Sequence, residues 1–367
     1  MKFIALQSNF SKALNQVSRI VSTRTTLPVL SNILIEAKKG KIQLSATDLE
    51  VAITAQTTGK VEEEGSLTIP ARLLSDFIVN NTDESIEFET ENNTLKLKSN
   101  RFEASINGIN SEEFPTVPTT PKETYCNIEK TLFADSLKKV LIAPANDETR
   151  PVLAGIFFNF KNNMLILAAT DSYRLSEIKM EIKEQLEDKS FIVPARTMNE
   201  ALRLISSTDT ENISISPTEN QVSFKIGDTK LVSRLIEGSF PNYTQIIPSS
   251  SKIKVRASHS ELVSALKMSA LFAKNSANNI KIKTEKNEII IKSMASQSGS
   301  ANAKVPAEIE GESIEIAFNV RFLLEVLQVI STDKVEFCFN DSSSSGMIRS
   351  LKNDNFTYIV MPLKIDD

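Results

Sequence analysis

Few residues in this 367-residue chain have the types and spacing that chemistry requires. The single histidine, His259, cannot build a histidine metal cluster, and its place at the head of an apolar-periodic stretch reads as an exposed helix-end residue. Cys126 and Cys338 are too far apart in sequence to form a zinc motif; they read as a loop and a strand residue kept reduced in a cytoplasm. Thr47-Asp48 and Thr170-Asp171 could supply paired carboxylates for acid–base work, but an aspartate just after a strand ordinarily folds into an Asx turn. Glu62-Glu63-Glu64 before Gly65 reads as a solvated hairpin tip rather than a cation site. No G-x-G-x-x-G, Walker-type or G-x-S-x-G motif occurs. The reading is therefore no catalytic residue, no metal and no cofactor.

The elements that would position these residues come in threes. Pro28-Val29-Leu30 returns as Pro151-Val152-Leu153, and Ala46-Thr47-Asp48 as Ala169-Thr170-Asp171. Ile69-Pro70-Ala71-Arg72 is answered by Val193-Pro194-Ala195-Arg196, and Phe114-Pro115 by Phe240-Pro241, all at nearly constant offset. Asn319-Val320-Arg321 keeps the rhythm of a fainter third copy. Domains are accordingly expected at 1–120, 121–247 and 248–367. Each copy reads as two amphipathic helices among antiparallel hairpins, an α+β unit. The helices are expected over 9–21, 70–80, 131–143, 194–206, 258–275 and 319–330; a strand is expected to end in Pro70 and in Pro194 and pass into the helix, proline suiting its first turn. Hairpins are expected to turn at Lys39-Gly40, Asn92-Asn93 and Asn162-Asn163.

Net charge is −4, which taken alone argues against a nucleic-acid partner. The partition says otherwise. The six helical stretches hold ten Lys and Arg against five Asp and Glu, so the acidic surplus lies elsewhere. Lys12 and Arg19, Arg196 and Arg203, and Lys267 and Lys274 recur seven apart, about two helical turns, opposite the apolar stripe. With Arg72 and Arg321 they are the helical candidates for contact with DNA. The start MKFIALQSNF has no continuous apolar run or small-residue cleavage site, so no signal peptide is expected, and no stretch is apolar enough to span a bilayer.

The ordered motifs TLPVLSNIL (26–34), ATDLE (46–50), TIPAR (68–72), RPVLAGI (150–156), ATDSYRL (169–175), LIEGSFPNY (235–243) and YIVMPLKI (358–365) together resemble the bacterial sliding-clamp family, the β subunits of DNA polymerase III. The resemblance spans the chain. It implies three clamp-type domains, each with two helices on antiparallel sheets, and a head-to-tail homodimer closing into a six-domain ring around duplex DNA. Twelve helices about 10 Å across would line roughly 120 Å of circumference and leave a hole of roughly 28 Å, wide enough for a duplex. A ring held by topology needs only a modestly positive bore that contacts phosphates without reading bases.

The resemblance also implies a non-enzymatic processivity role in cytoplasmic DNA replication. It adds Arg24 and Arg150 as DNA-facing loop residues. The implied partners are double-stranded DNA, a second copy of the chain, the replicative polymerase's catalytic subunit, a clamp loader and other proteins with a clamp-binding motif, with no membrane. Those proteins would dock a glutamine-containing, apolar motif in a pocket made by Leu153, Thr170, Ser172, Tyr173, Arg174, Leu175, Pro241, Ile246, Ser345, Val360, Met361, Pro362 and Leu363. Ser172-Tyr173 departs from the glycine-histidine pair usual in the family. Phe102, Leu271 and Phe272 are the apolar residues expected at the ring joint. The alternative is a cytoplasmic protein-interaction scaffold that does not act on DNA.

Overall fold

The computed structural model describes the chain except residues 22–26, 39, 118–122, 148, 275, 296–298, 353–354 and 365–367, and the side chains of 294–295. Helices form over Gln7–Val17 (α1), Ala71–Asn80 (α2), Lys130–Val140 (α3), Ala195–Ser207 (α4), His259–Ala273 (α5) and Val320–Val329 (α6). All six expected helices are present, with ends shifted by a few residues. A strand ends in each proline and passes into a helix, as expected, but the proline stands just before the helix rather than in its first turn. Pro70 caps α2 from outside the helix and ends the edge strand Gly65–Pro70, and Pro194 closes the edge strand Lys189–Pro194. Edge strands tolerate proline because the missing N–H faces no partner.

The chain forms two compact units, Met1–Phe133 with Asn199–Leu235, and Ala134–Met198 with Ile236–Asp367. In the first unit α1 buries Phe10, Leu14 and Val17. Phe3, Phe10 and Phe88 stack in its core, with ring centroids 4.5 Å apart for Phe3–Phe88 and for Phe10–Phe88. A five-stranded sheet runs from Lys60–Glu63 through Lys2–Leu6 and Ser85–Glu91 to Thr94–Lys98 and Glu103–Asn107. An eight-stranded sheet joins the first repeat to half of the second, because Thr229–Arg234 pairs antiparallel with Val51–Thr58, Thr229 opposite Ala55.

The second unit uses the same device. Arg174–Glu181 pairs with Phe356–Val360, Arg174 opposite Val360, and makes one twelve-stranded sheet from half of the second repeat and all of the third. The sheets therefore run across the repeats, and the middle repeat is shared between the two units. Hairpin chemistry follows the sequence: Asn162 and Asn163 both adopt left-handed backbone (φ 51° and 57°) at the turn between Gly155–Lys161 and Met164–Thr170. A two-residue turn with both residues left-handed matches strand twist.

The reactive side chains are used structurally. His259 is not a free end residue: it is half-buried, and its Nε2 lies 2.7 Å from the Leu327 carbonyl, tying the start of α5 to the last turn of α6. A carbonyl there has no partner within its own helix, so an imidazole N–H satisfies it. Cys126 opens a strand rather than sitting in a loop, and both thiols are buried. Burial, with the Glu336 carboxylate beside it, pushes the Cys338 thiol up to about 11, which keeps it protonated and poorly nucleophilic. Glu62 and Glu63 lie in the strand Lys60–Glu63, and Glu62 pairs with Lys60 at 2.8 Å.

Candidate functional site

Asp48 and Asp171 build the same loop twice. Asp48 Oδ1 accepts the amides of Glu50 and Val51, while Thr47 Oγ1 donates to the Val51 carbonyl. Asp171 Oδ1 accepts the amides of Tyr173 and Arg174, and Thr170 Oγ1 donates to the Arg174 carbonyl. Both are Asx turns as read from sequence, and both hold a non-glycine residue left-handed: Leu49 at φ 78° and Ser172 at φ 77°. In the second copy the turn presents Tyr173 to solvent, 62% exposed, and the Met361 amide donates to the Tyr173 carbonyl at 2.8 Å.

Around this turn the structure gathers much of the expected pocket. Ser345 Oγ donates to the Ile246 carbonyl at 3.3 Å, fixing one loop to the other. Asp341 accepts from the hydroxyls and amides of Ser343 and Ser344, bonds that hold its carboxyl well below the usual range and fold the turn leading to Ser345. Beneath, Ala168, Leu175, Tyr243 and Ile359 form a buried apolar cluster with Phe157, Phe240, Ile247 and Met347 against it. Phe157 and Phe240 stack at 4.9 Å. The Tyr243 hydroxyl donates to buried Glu177 at 2.8 Å, and burial first, then that carboxylate, raises its pKa. Gly238, at φ 120°, brings the 236–247 segment down onto Val152, where an added Cβ would come within 2.9 Å of its side chain.

The thirteen pocket residues do not share one role. Tyr173, Pro241, Ile246 and Met361 are exposed and can meet a ligand, whereas Leu175 and Val360 are fully buried and act from below. Leu153 and Thr170 are buried, Ser345, Pro362 and Leu363 half-buried, and Leu363 bridges to Ala317. Arg174 is a pin. Its guanidinium pairs with Asp171 at 3.0 Å and with Glu325 of α6, and stacks 4.4 Å from the Phe322 ring centre. Sequence reading missed Glu325, Phe322 and the Glu177–Tyr243 pair. Glu325 sits four residues after Arg321 and contacts it at 3.7 Å, so the local spacing pointed to Arg321 alone.

The basic residues divide similarly. Lys12, Arg19, Lys267 and Lys274 are exposed on or just beyond their helices and form no ion pair among the described residues. Arg72 and Arg321 are exposed beside Asp76 and Glu325, and Arg196 is exposed near the start of α4. Arg150 reaches Ser172 Oγ at 3.4 Å. Arg24 lies outside the described residues. Arg203 is structural: it pairs with Glu200 at 2.7 Å and donates to the carbonyls of Asn15 and Gln16, capping the C-terminal end of α1. Of the joint candidates, Phe102 and Leu271 are exposed and Phe272 half-buried. Met268, absent from the sequence reading, is exposed one turn before Phe272 on α5.

The chain matches the DNA polymerase III beta subunit three times along its length: the N-terminal domain over residues 1–118, the central domain over 127–242 and the C-terminal domain over 244–364. The beta sliding clamp of Synechococcus elongatus is 32% identical, with both chains covered completely. Solved DNA polymerase III β subunits from Thermotoga maritima and Pseudomonas aeruginosa superpose with TM-scores of 0.93 and 0.95, each 27% identical and fully covered. Fold and matches together define the class, a three-domain α+β clamp fold. The chain belongs to the DNA polymerase III β subunit family, the sliding clamps. Its function is that of the sliding clamp of DNA polymerase III, a non-catalytic processivity subunit in DNA replication.

Proposed function

We propose that two copies of the chain, with domains at 1–120, 121–247 and 248–367, close head to tail into a ring around duplex DNA in the cytoplasm. The helices face the duplex, and the groove around Tyr173 and Met361 tethers the replicative polymerase, the clamp loader and other proteins bearing the docking motif. The supporting observation is that exposed Lys12, Arg19, Lys267 and Lys274 carry positive charge on helices of an otherwise acidic chain, with no ion pair among the described residues. Four cations that grip nothing else attract phosphates, and exposed solvated lysines hold them loosely enough to slide. Arg72, Arg150, Arg196 and Arg321 complete the contact set, with Arg24; Arg203 serves it indirectly, by fixing α1. Phe102, Leu271 and Phe272 form the joint.

Docking is tested by titrating a labelled peptide that carries a glutamine followed by bulky apolar residues. Met361→Ala is expected to weaken binding roughly tenfold, the scale of removing one exposed apolar anchor, with an unchanged melting temperature. Undiminished affinity in that variant would remove Met361 from the groove.

A further inference from the structure

On one face of the second unit's sheet, a cleft of about 530 Å³ is lined by Lys179, Arg256, Glu336, Met347, Arg349 and Lys352, with Ser350, Leu351, Asn355, Phe356 and Thr357 beside them. Side chains two apart on a strand share a face, so Leu175 and Glu177, under the docking groove, lie in line with Lys179. Met347 belongs to both places: it lines the cleft and packs against the apolar cluster of Leu175, Tyr243 and Ile359. The groove and the cleft thus lie on one sheet face, with Met347 common to them.

The cleft is basic where it meets solvent. Three carboxylates touch three of its four cations, Lys179, Arg256 and Arg349. Glu336, only 2% exposed, takes Arg256 Nε at 2.8 Å and Arg349 Nε at 2.6 Å. Glu177, 4% exposed, takes Lys179 at 3.1 Å, and Glu310 at the edge takes Arg256 at 2.7 Å. Two of the three are sunk in the sheet, while Lys179 and Arg349 keep nearly half their side-chain surface and Lys352 is exposed. The buried carboxylates hold the heads of Lys179, Arg256 and Arg349, which stay partly exposed, and Lys352 is exposed with no ion pair among the described residues.

We propose that this cleft receives acidic residues flanking the docking motif of partner proteins, so that apolar anchors set the position and carboxylates beyond them set the rank among competitors. The inference rests on the groove assignment above. The occupant follows from charge complementarity and from the continuity through Met347: a chain leaving the groove along the sheet meets Lys179, Arg349 and Lys352 next. Charge pairs of this kind contribute modestly to affinity and are screened by salt.

The test compares a docking peptide with versions extended by three glutamates, or three glutamines, at either end, measured by fluorescence anisotropy. One glutamate-extended peptide is expected to bind roughly fivefold tighter than its glutamine twin near 50 mM salt, the gain fading toward 500 mM. Lys352→Glu, and separately Lys179→Gln with Lys352→Gln, should erase the gain while leaving the unextended peptide's affinity intact. A gain that survives both variants overturns the proposal, as does an absence of gain from either end. Equal binding of a glutamate peptide lacking the docking residues also overturns it, leaving a general anion site. Failure of the unextended peptide to bind at all would instead overturn the groove assignment itself.

Discussion

Arg174→Ala is expected to lower folding stability by about 3–5 kcal/mol, the cost of stranding partly buried carboxylates without their cation, and to abolish peptide docking. Arg174 is 8% exposed and is held by Asp171, Glu325 and the face of Phe322. Truncation leaves Asp171 and Glu325 facing an emptied site, and removes the side chain that ties the 170–174 turn to α6. That turn holds Ser172 left-handed and sets the height of Tyr173 and Met361. Arg174→Lys should recover only part of the loss, since an ammonium cannot satisfy both carboxylates and stack on the ring. Denaturant unfolding and peptide titration together check this. A stable Arg174→Ala protein with normal affinity would show that the pin is dispensable.

The second large effect concerns the joint. Leu271 is 69% exposed and Met268 57%, both on α5, and Phe102 is 43% exposed beneath Arg101, 5.5 Å from its ring centre. Isolated exposed apolar residues are ordinary; we propose that this pair on α5 meets Phe102 of a second copy at the ring joint. Leu271→Asp would place an unpaired charge inside that contact, a penalty of several kcal/mol. Sedimentation equilibrium is expected to move from twice the 40.6 kDa chain mass to the chain mass itself, with circular dichroism unchanged. A Leu271→Asp protein that remains dimeric would displace the joint from α5.

Much of this molecule was legible because its signals are local. The Asn162-Asn163 turn, the two Asx turns and the apolar stripe of α1 each depend on a few neighbouring residues, and sequence reading found them. What it missed depends on residues far apart in the chain. The pairing of Thr229 with Ala55, and of Arg174 with Val360, merges repeats into continuous sheets, and no short-range pattern encodes it. The same distance hid the Arg174–Glu325 pair and the capping of α1 by Arg203. Arg203 and Arg196 look alike in sequence, both on the polar stripe of α4, and only the neighbouring carbonyls of Asn15 and Gln16 separate them. Which of the proposed pocket residues face outward was not readable, since strand alternation turns on register rather than on residue type.

Net charge proved the least informative number. Among the helical cations, Arg72, Lys138, Arg203 and Arg321 pair with a carboxylate three or four residues away, and we propose that the charge offered to DNA rests chiefly on Lys12, Arg19, Lys267 and Lys274. On that reading topology rather than affinity holds the protein on its track. The direct measurement is retention after loader-assisted assembly on a nicked circular plasmid, followed by gel filtration before and after linearisation. The clamp account predicts that protein stays with the closed circle and is lost from the linear form within minutes. Equal retention on both, or on neither, would contradict it.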